Sequence, residues 1–119
     1  MARNSSNEWK GPSAREMIET RTLGKEIIDN HNAPCPVFDD KNILQLRRFV
    51  LDPDNVDETM NELDAIEPGW REHSLTAHIM KTWGSENSAL SEEEVIQLRE
   101  WFEDGGGKTD AEVAAEQRK

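Results

Sequence analysis

The chain has 119 residues, 34% of them hydrophobic and 33% charged, with a mean hydropathy of −0.85. That is the size of one domain with a lean core, and no apolar run is long enough for a signal peptide or a membrane span. The single cysteine, Cys35, rules out an internal disulfide framework, and a formal net charge of −11 argues against a surface that neutralises phosphates.

The charge is unevenly spread. Residues 1–50 carry 8 Lys/Arg against 7 Asp/Glu, whereas residues 51–119 carry 6 against 18, giving +1 and −12. Such a surface repels nucleic acid and suits a soluble protein of the cytoplasm, or of a particle assembled there, such as a virion.

Residues 1–12, MARNSSNEWKGP, show no periodicity and read as an extended arm bearing Trp9. Ser13 and Glu16 then form a capping pair, predicting a helix to about Asn30 that either bends at Gly24 or is buried on two sides. Ala14, Met17, Ile18 and Ile28 share one side of it, while Leu23 and Ile27 fall opposite. In the following HNAPCPVFDD, Pro34 and Pro36 forbid a helix and hold Cys35 extended, with Val37 and Phe38 available to the core.

Asp39 or Asp40 caps the next helix, KNILQLRRFVL, whose Ile43, Leu46 and Val50 form a stripe flanked by Leu44 and Phe49. Pro53 stops it, and Asp54 with Asp57 starts another, in which Val56, Met60 and Leu63 share a face before Pro68 and Gly69. Trp70 to Trp83 reads as one helix with Leu75, Ile79 and Trp83 aligned and Gly84 at its C-terminal cap. GSENSA reads as a polar linker.

The best-defined element is the helix over 92–103. Ser91 and Glu94 make a full capping box, Leu90 can staple onto Val95, and Glu92, Glu93 and Glu94 sit at the positive end of the dipole. Val95, Leu98 and Phe102 share its apolar face with Trp101 beside them, and Gly105 to Gly107 end it. Thr109 and Glu112 offer a last capping pair for a short helix, DAEVAAEQRK, with only Val113 and alanines to bury.

Together these elements predict an all-α fold. It is a small, irregular bundle of about five helices (13–104), with the extended arm (1–12) before it and a glycine hinge with a short helix or tail (105–119) after it.

The motifs that could carry chemistry are incomplete. His73 and His78 stand five apart, where ligands sharing a helical face need three or four. The prolines break any helix that would align His31 with Cys35, and Cys35-Pro36 is too short to define a haem ligand. The run from Asp52 to Leu63 has the acidic density of a calcium loop but places Asp57 where the sharp-turn glycine belongs and Leu63 at the final ligand position. GGGKT lacks the earlier glycine and the preceding strand of a phosphate-binding loop. No serine or carboxylate pair has a partner marked by spacing, so the sequence predicts no enzyme, cofactor or metal.

One resemblance follows from Leu90-Ser91-Glu92-Glu93-Glu94-Val95, Leu98-Arg99, Gly105-Gly106 and Asp110-Ala111-Glu112-Val113-Ala114. This pattern resembles the first two helices of the helix-turn-helix segments of transposases, resolvases and phage-encoded DNA-binding proteins. The resemblance implies a helix–glycine–helix geometry. The recognition helix would follow Ala114, where the chain offers only Arg118 and Lys119 as cations.

The expectation is therefore a non-enzymatic acidic subunit or adaptor of a larger assembly, of the kind phages and mobile elements encode, acting through protein contacts or as a homo-oligomer. Trp9, Trp70, Trp83, Trp101 and Phe102 are the candidate contact residues, because aromatics dominate interface energetics. The alternative is a factor in nucleic-acid transactions, either a partial helix-turn-helix component or an acidic mimic of DNA.

Overall fold

The computed structural model describes residues 11–32 and 37–118. Among them the fold is all-α, built from eight helices and one 3-10 turn. Trp9 and Cys35 lie outside the described residues. No helix among the described residues is long and apolar enough to cross a membrane.

Helix α1 (Ala14–Glu19) opens where Ser13 accepts the amide of Glu16 through its hydroxyl, and it buries Met17. The single helix expected to Asn30 is in fact two, and the break falls at Arg21 rather than Gly24. Thr20 Oγ1 bonds back to Glu16 O at 2.8 Å, and Thr20 and Thr22 share a hydroxyl hydrogen bond. Arg21 itself takes a left-handed φ of 60°, while its Nη1 donates to Ser88 O at 2.7 Å. The chain then restarts as α2 (Leu23–Asn30). The break reconciles the two opposed apolar sides seen in the sequence, because Met17, Leu23 and Ile27 can all reach one core.

Helix α3 (Asp40–Leu51) starts where Asp39 accepts the amide of Asn42 at 2.9 Å. It buries Ile43, Leu46, Phe49 and Val50. A 3-10 turn, Pro53–Asn55, leads into α4 (Val56–Ile66). The expected cap by Asp54 and Asp57 does not form. Pro53 opens the 3-10 turn instead, so Asn55 stands at the cap position without a side-chain bond to the helix.

The helix expected over Trp70–Trp83 is also divided, into α5 (Trp70–His73) and α6 (Leu75–Thr82). Ser74 is extended between them, at φ −107° and ψ 136°, and its hydroxyl bonds to that of Thr76 at 2.6 Å. This kink lets Trp70 and Ile79, 1% exposed each, enter the same core. The GSENSA segment is only partly a polar linker: Ser88 and Ala89 are buried, and Thr82 Oγ1 accepts the amide of Ala89 at 3.0 Å.

Helix α7 (Glu92–Glu103) packs on α3 and α2, and α3 also meets α4 and α6, so α3 is the hub. The capping box at Ser91 and Glu94 is complete. Glu94 does more than the sequence signalled: buried to 5% exposure, it also accepts the amide of Gly24 in α2. Helix α8 (Asp110–Gln117) forms with its own complete capping box at Thr109 and Glu112, and it buries no residue.

Candidate protein interaction face

The aromatic residues singled out in the sequence are mostly structural in the folded chain. Trp70 is 1% exposed, and its Nε1 donates to Gln45 Oε1 at 3.2 Å. Thr76 Oγ1 donates to the same oxygen at 2.6 Å, so Gln45 joins α3, α5 and α6 inside the core. Trp83 is half-buried and sets its ring edge-on to Phe49, with centroids 5.5 Å apart. Trp101 lies between His31, in an edge contact at 5.5 Å, and Phe102, in a tilted contact at 4.9 Å.

Trp101 and Phe102 also explain two of the three glycines. A Cβ on Gly106 would lie 2.2 Å from Trp101 Nε1, and one on Gly107 would lie 2.2 Å from Phe102 Cε1. The backbone therefore packs directly on the two rings, and Gly105 and Gly107 take left-handed φ values of 95° and 69°. The segment expected as a hinge is a tightly seated turn. His31 Nε2, buried against it, donates to Lys108 O at 2.7 Å. The aromatic face of α7 is thus occupied by the chain's own glycines.

The described residues whose large apolar side chains do reach the surface are Leu44, Leu51, Ile66, Ile96 and Val113, at 45%, 48%, 76%, 51% and 39% exposure. Leu44 and Leu51 stand on α3, and Ile66, Val113 and Ile96 stand on α4, α8 and α7, each of which is bonded to α3. On α3 the core residues Ile43, Leu46, Phe49 and Val50 point inward, so by helical register Leu44 and Leu51 form the outermost ridge.

Ion pairs fix what stands on either side of that ridge. Arg48 pairs with Glu62 and Lys41 with Glu67, which sets α4 along one flank, and Ile66 is one turn beyond Glu62. Arg47 makes a two-pronged pair with Glu112, Nη1 to Oε2 at 3.3 Å and Nη2 to Oε1 at 3.2 Å. Asp40 Oδ2 accepts the amide of Asp110 at 3.0 Å, so α8 lies along the other flank and carries Val113. Beyond the end of the ridge, Arg99 Nε donates to Val50 O at 3.0 Å, and Ile96 precedes Arg99 by one turn.

The electrostatics of the flank are self-contained. Arg47 and the amide and hydroxyl of Thr109 surround the Glu112 carboxylate, and this hydrogen bonding, led by the Thr109 amide, holds its pKa below the usual 4.5. Sequence reasoning missed this face because it searched for aromatics. The signal was present as Leu44 and Leu51, seven residues apart on the charged side of α3.

Among the described residues no group of three or more His, Cys, Asp or Glu could hold a metal ion. No family model matches the chain, and no curated protein or solved structure is significantly similar to it.

Proposed function

We propose that the chain is a non-enzymatic interaction subunit that binds a protein partner through the outer face of α3. The observation that carries this reading is the exposed Leu44–Leu51 ridge on α3, flanked by the ion-paired helices α4 and α8 that carry the exposed Ile66 and Val113. Scattered surface apolar residues are ordinary, whereas a cluster on one side marks an interaction site. The ion pairs at Arg47 and Arg48 interleave with it and supply the polar fraction that interfaces carry.

Protein binding is favoured over groove reading of DNA by the composition of α8. Asp110–Gln117 contains three carboxylates and no cation, whereas phosphate contacts require cations.

The test is site-specific photocrosslinking in cells of the source organism, with the reactive group at position 44 or 51 and, as control, at Glu19 on α1. Partner adducts from positions 44 and 51 alone are expected. Equal adducts from Glu19, or none from either ridge position, would overturn the assignment of the face.

A further inference from the structure

We infer that the occupant of the α3 face is an amphipathic helix whose apolar anchors are flanked by Lys and Arg. This inference rests on the proposed function above and adds the chemistry of the partner.

The spacing sets the anchor pattern. Leu44 and Leu51 lie two helical turns apart on a twelve-residue helix, a separation of about 10 Å along the axis. A partner helix laid along this ridge meets both leucines with residues spaced by seven, which is the repeat of helix-on-helix recognition.

The charge sets the flanks. The three cations of the face are already engaged, Lys41 with Glu67, Arg47 with Glu112 and Arg48 with Glu62. The exposed rim around them is acidic. Asp52, Asp54 and Glu58 stand at the Leu51 end, and Glu92 and Glu103 lie on the same stripe of α7 as Ile96. An incoming helix with basic flanks meets this rim with complementary charge, which accelerates encounter and excludes acidic competitors.

A second copy of this chain fits less well. Two molecules each carrying −11 repel one another, and pairing α3 with α3 would bring the same acidic rims together.

The experiment uses the full chain and three labelled synthetic peptides. One is a helix with leucines repeating at offsets of four and seven and lysines elsewhere. The second replaces every lysine with glutamate, and the third scrambles the first so that it has no apolar face. Fluorescence anisotropy is followed in low and high salt, with sedimentation of the protein alone alongside.

Binding of the lysine helix is expected, weakened by salt. Leu44→Ser with Leu51→Ser should weaken it roughly tenfold or more, the loss typical of removing central anchors. Glu19→Gln should leave it within about twofold, because that residue lies on α1, which packs chiefly on α2, and its exposed pair with Arg15 is worth little.

Equal binding of the scrambled peptide, or no effect of the leucine substitutions, would overturn the inference by making the attraction one of charge alone. Binding of the glutamate helix, or a dimer crosslinked through position 44, would overturn the basic partner while leaving the face itself in use. Failure of all three peptides together with absence of crosslinks from positions 44 and 51 would overturn both.

Discussion

Glu94 and Gly24 lie seventy residues apart in sequence, yet Glu94 Oε2 accepts the Gly24 amide at 3.0 Å while Oε1 accepts the Ser91 amide at 3.0 Å. One buried carboxylate therefore closes the N-termini of two helices and meets the positive ends of both dipoles. Thr22, at the cap position of α2, makes no side-chain bond to that helix, so the acceptor comes from α7 instead.

Removing this carboxylate should be costly. Glu94→Ala is expected to lower stability by about 2–4 kcal/mol, combining a lost cap with a buried Gly24 amide left without its acceptor. Glu92→Ala, on the exposed side of the same turn, should stay within about 0.5 kcal/mol. Urea unfolding of the two variants checks the contrast. A Cβ on Gly24 would lie 3.2 Å from Glu94 Cβ and 3.3 Å from Oε2. Gly24→Ala should therefore destabilise despite its better helix propensity, and by less when residue 94 is alanine, a coupling of about 0.5 kcal/mol or more.

The polar knot at Gln45 gives a second expectation. Gln45→Leu should cost about 2–4 kcal/mol, because it strands the Trp70 indole N–H away from water and leaves the Thr76 hydroxyl with Ser74 Oγ alone. Adding Thr76→Val should cost less in the Gln45→Leu background than in the native chain, because its bond to Gln45 is already gone. Denaturant midpoints across the single and double variants measure the coupling, and a purely additive result would contradict the knot.

The glycine turn predicts an order of sensitivity. Gly106→Ala and Gly107→Ala should each cost about 2 kcal/mol or more, since their new methyl groups collide with Trp101 and Phe102. At Gly105 the nearest atom, Lys108 Cε, is 3.8 Å away, so only the left-handed backbone resists alanine, at about 1–2 kcal/mol. Thermal unfolding monitored by tryptophan emission tests the order, and equal losses at all three positions would show that packing on the rings is unimportant.

Acid should loosen α8 before the core. Glu112 has its pKa lowered in the folded chain, so its contribution to docking is complete above its ordinary value of 4.5 and fades as pH falls through the lower folded value. Its side chain is 42% exposed, so the effect on global stability should be small. Protection of the Asp110–Gln117 amides against exchange, taken relative to the intrinsic rate at each pH, should therefore fall as pH drops below the ordinary carboxylate value. Glu112→Gln should lower that protection at neutral pH and leave it nearly independent of pH in the same range.

Local signals proved readable where they were self-contained. The caps of α3, α7 and α8 all involve residues within three positions of one another, and Asp39, Ser91 and Thr109 each fill the expected role. The breaks at Arg21 and Ser74 were hidden because their partners are distant: Ser88 O for Arg21, and the Gln45 cluster for the Ser74–Thr76 turn. The aromatic residues were ambiguous for a related reason. Helical periodicity says that Trp70 or Phe102 faces something apolar, and it does not say whether that surface belongs to the same chain. Trp101 and Phe102 are covered by glycine backbone, a partner with no hydrophobic side chain to betray it in the sequence.

The shared carboxylate also orders events during synthesis. The amide of Gly24 is made early, but its acceptor arrives only after six helices have been translated. On the ribosome, α2 must wait with an open N-terminus until α7 emerges. The second and seventh helices therefore mature in the same late step, whatever the order in which they were written.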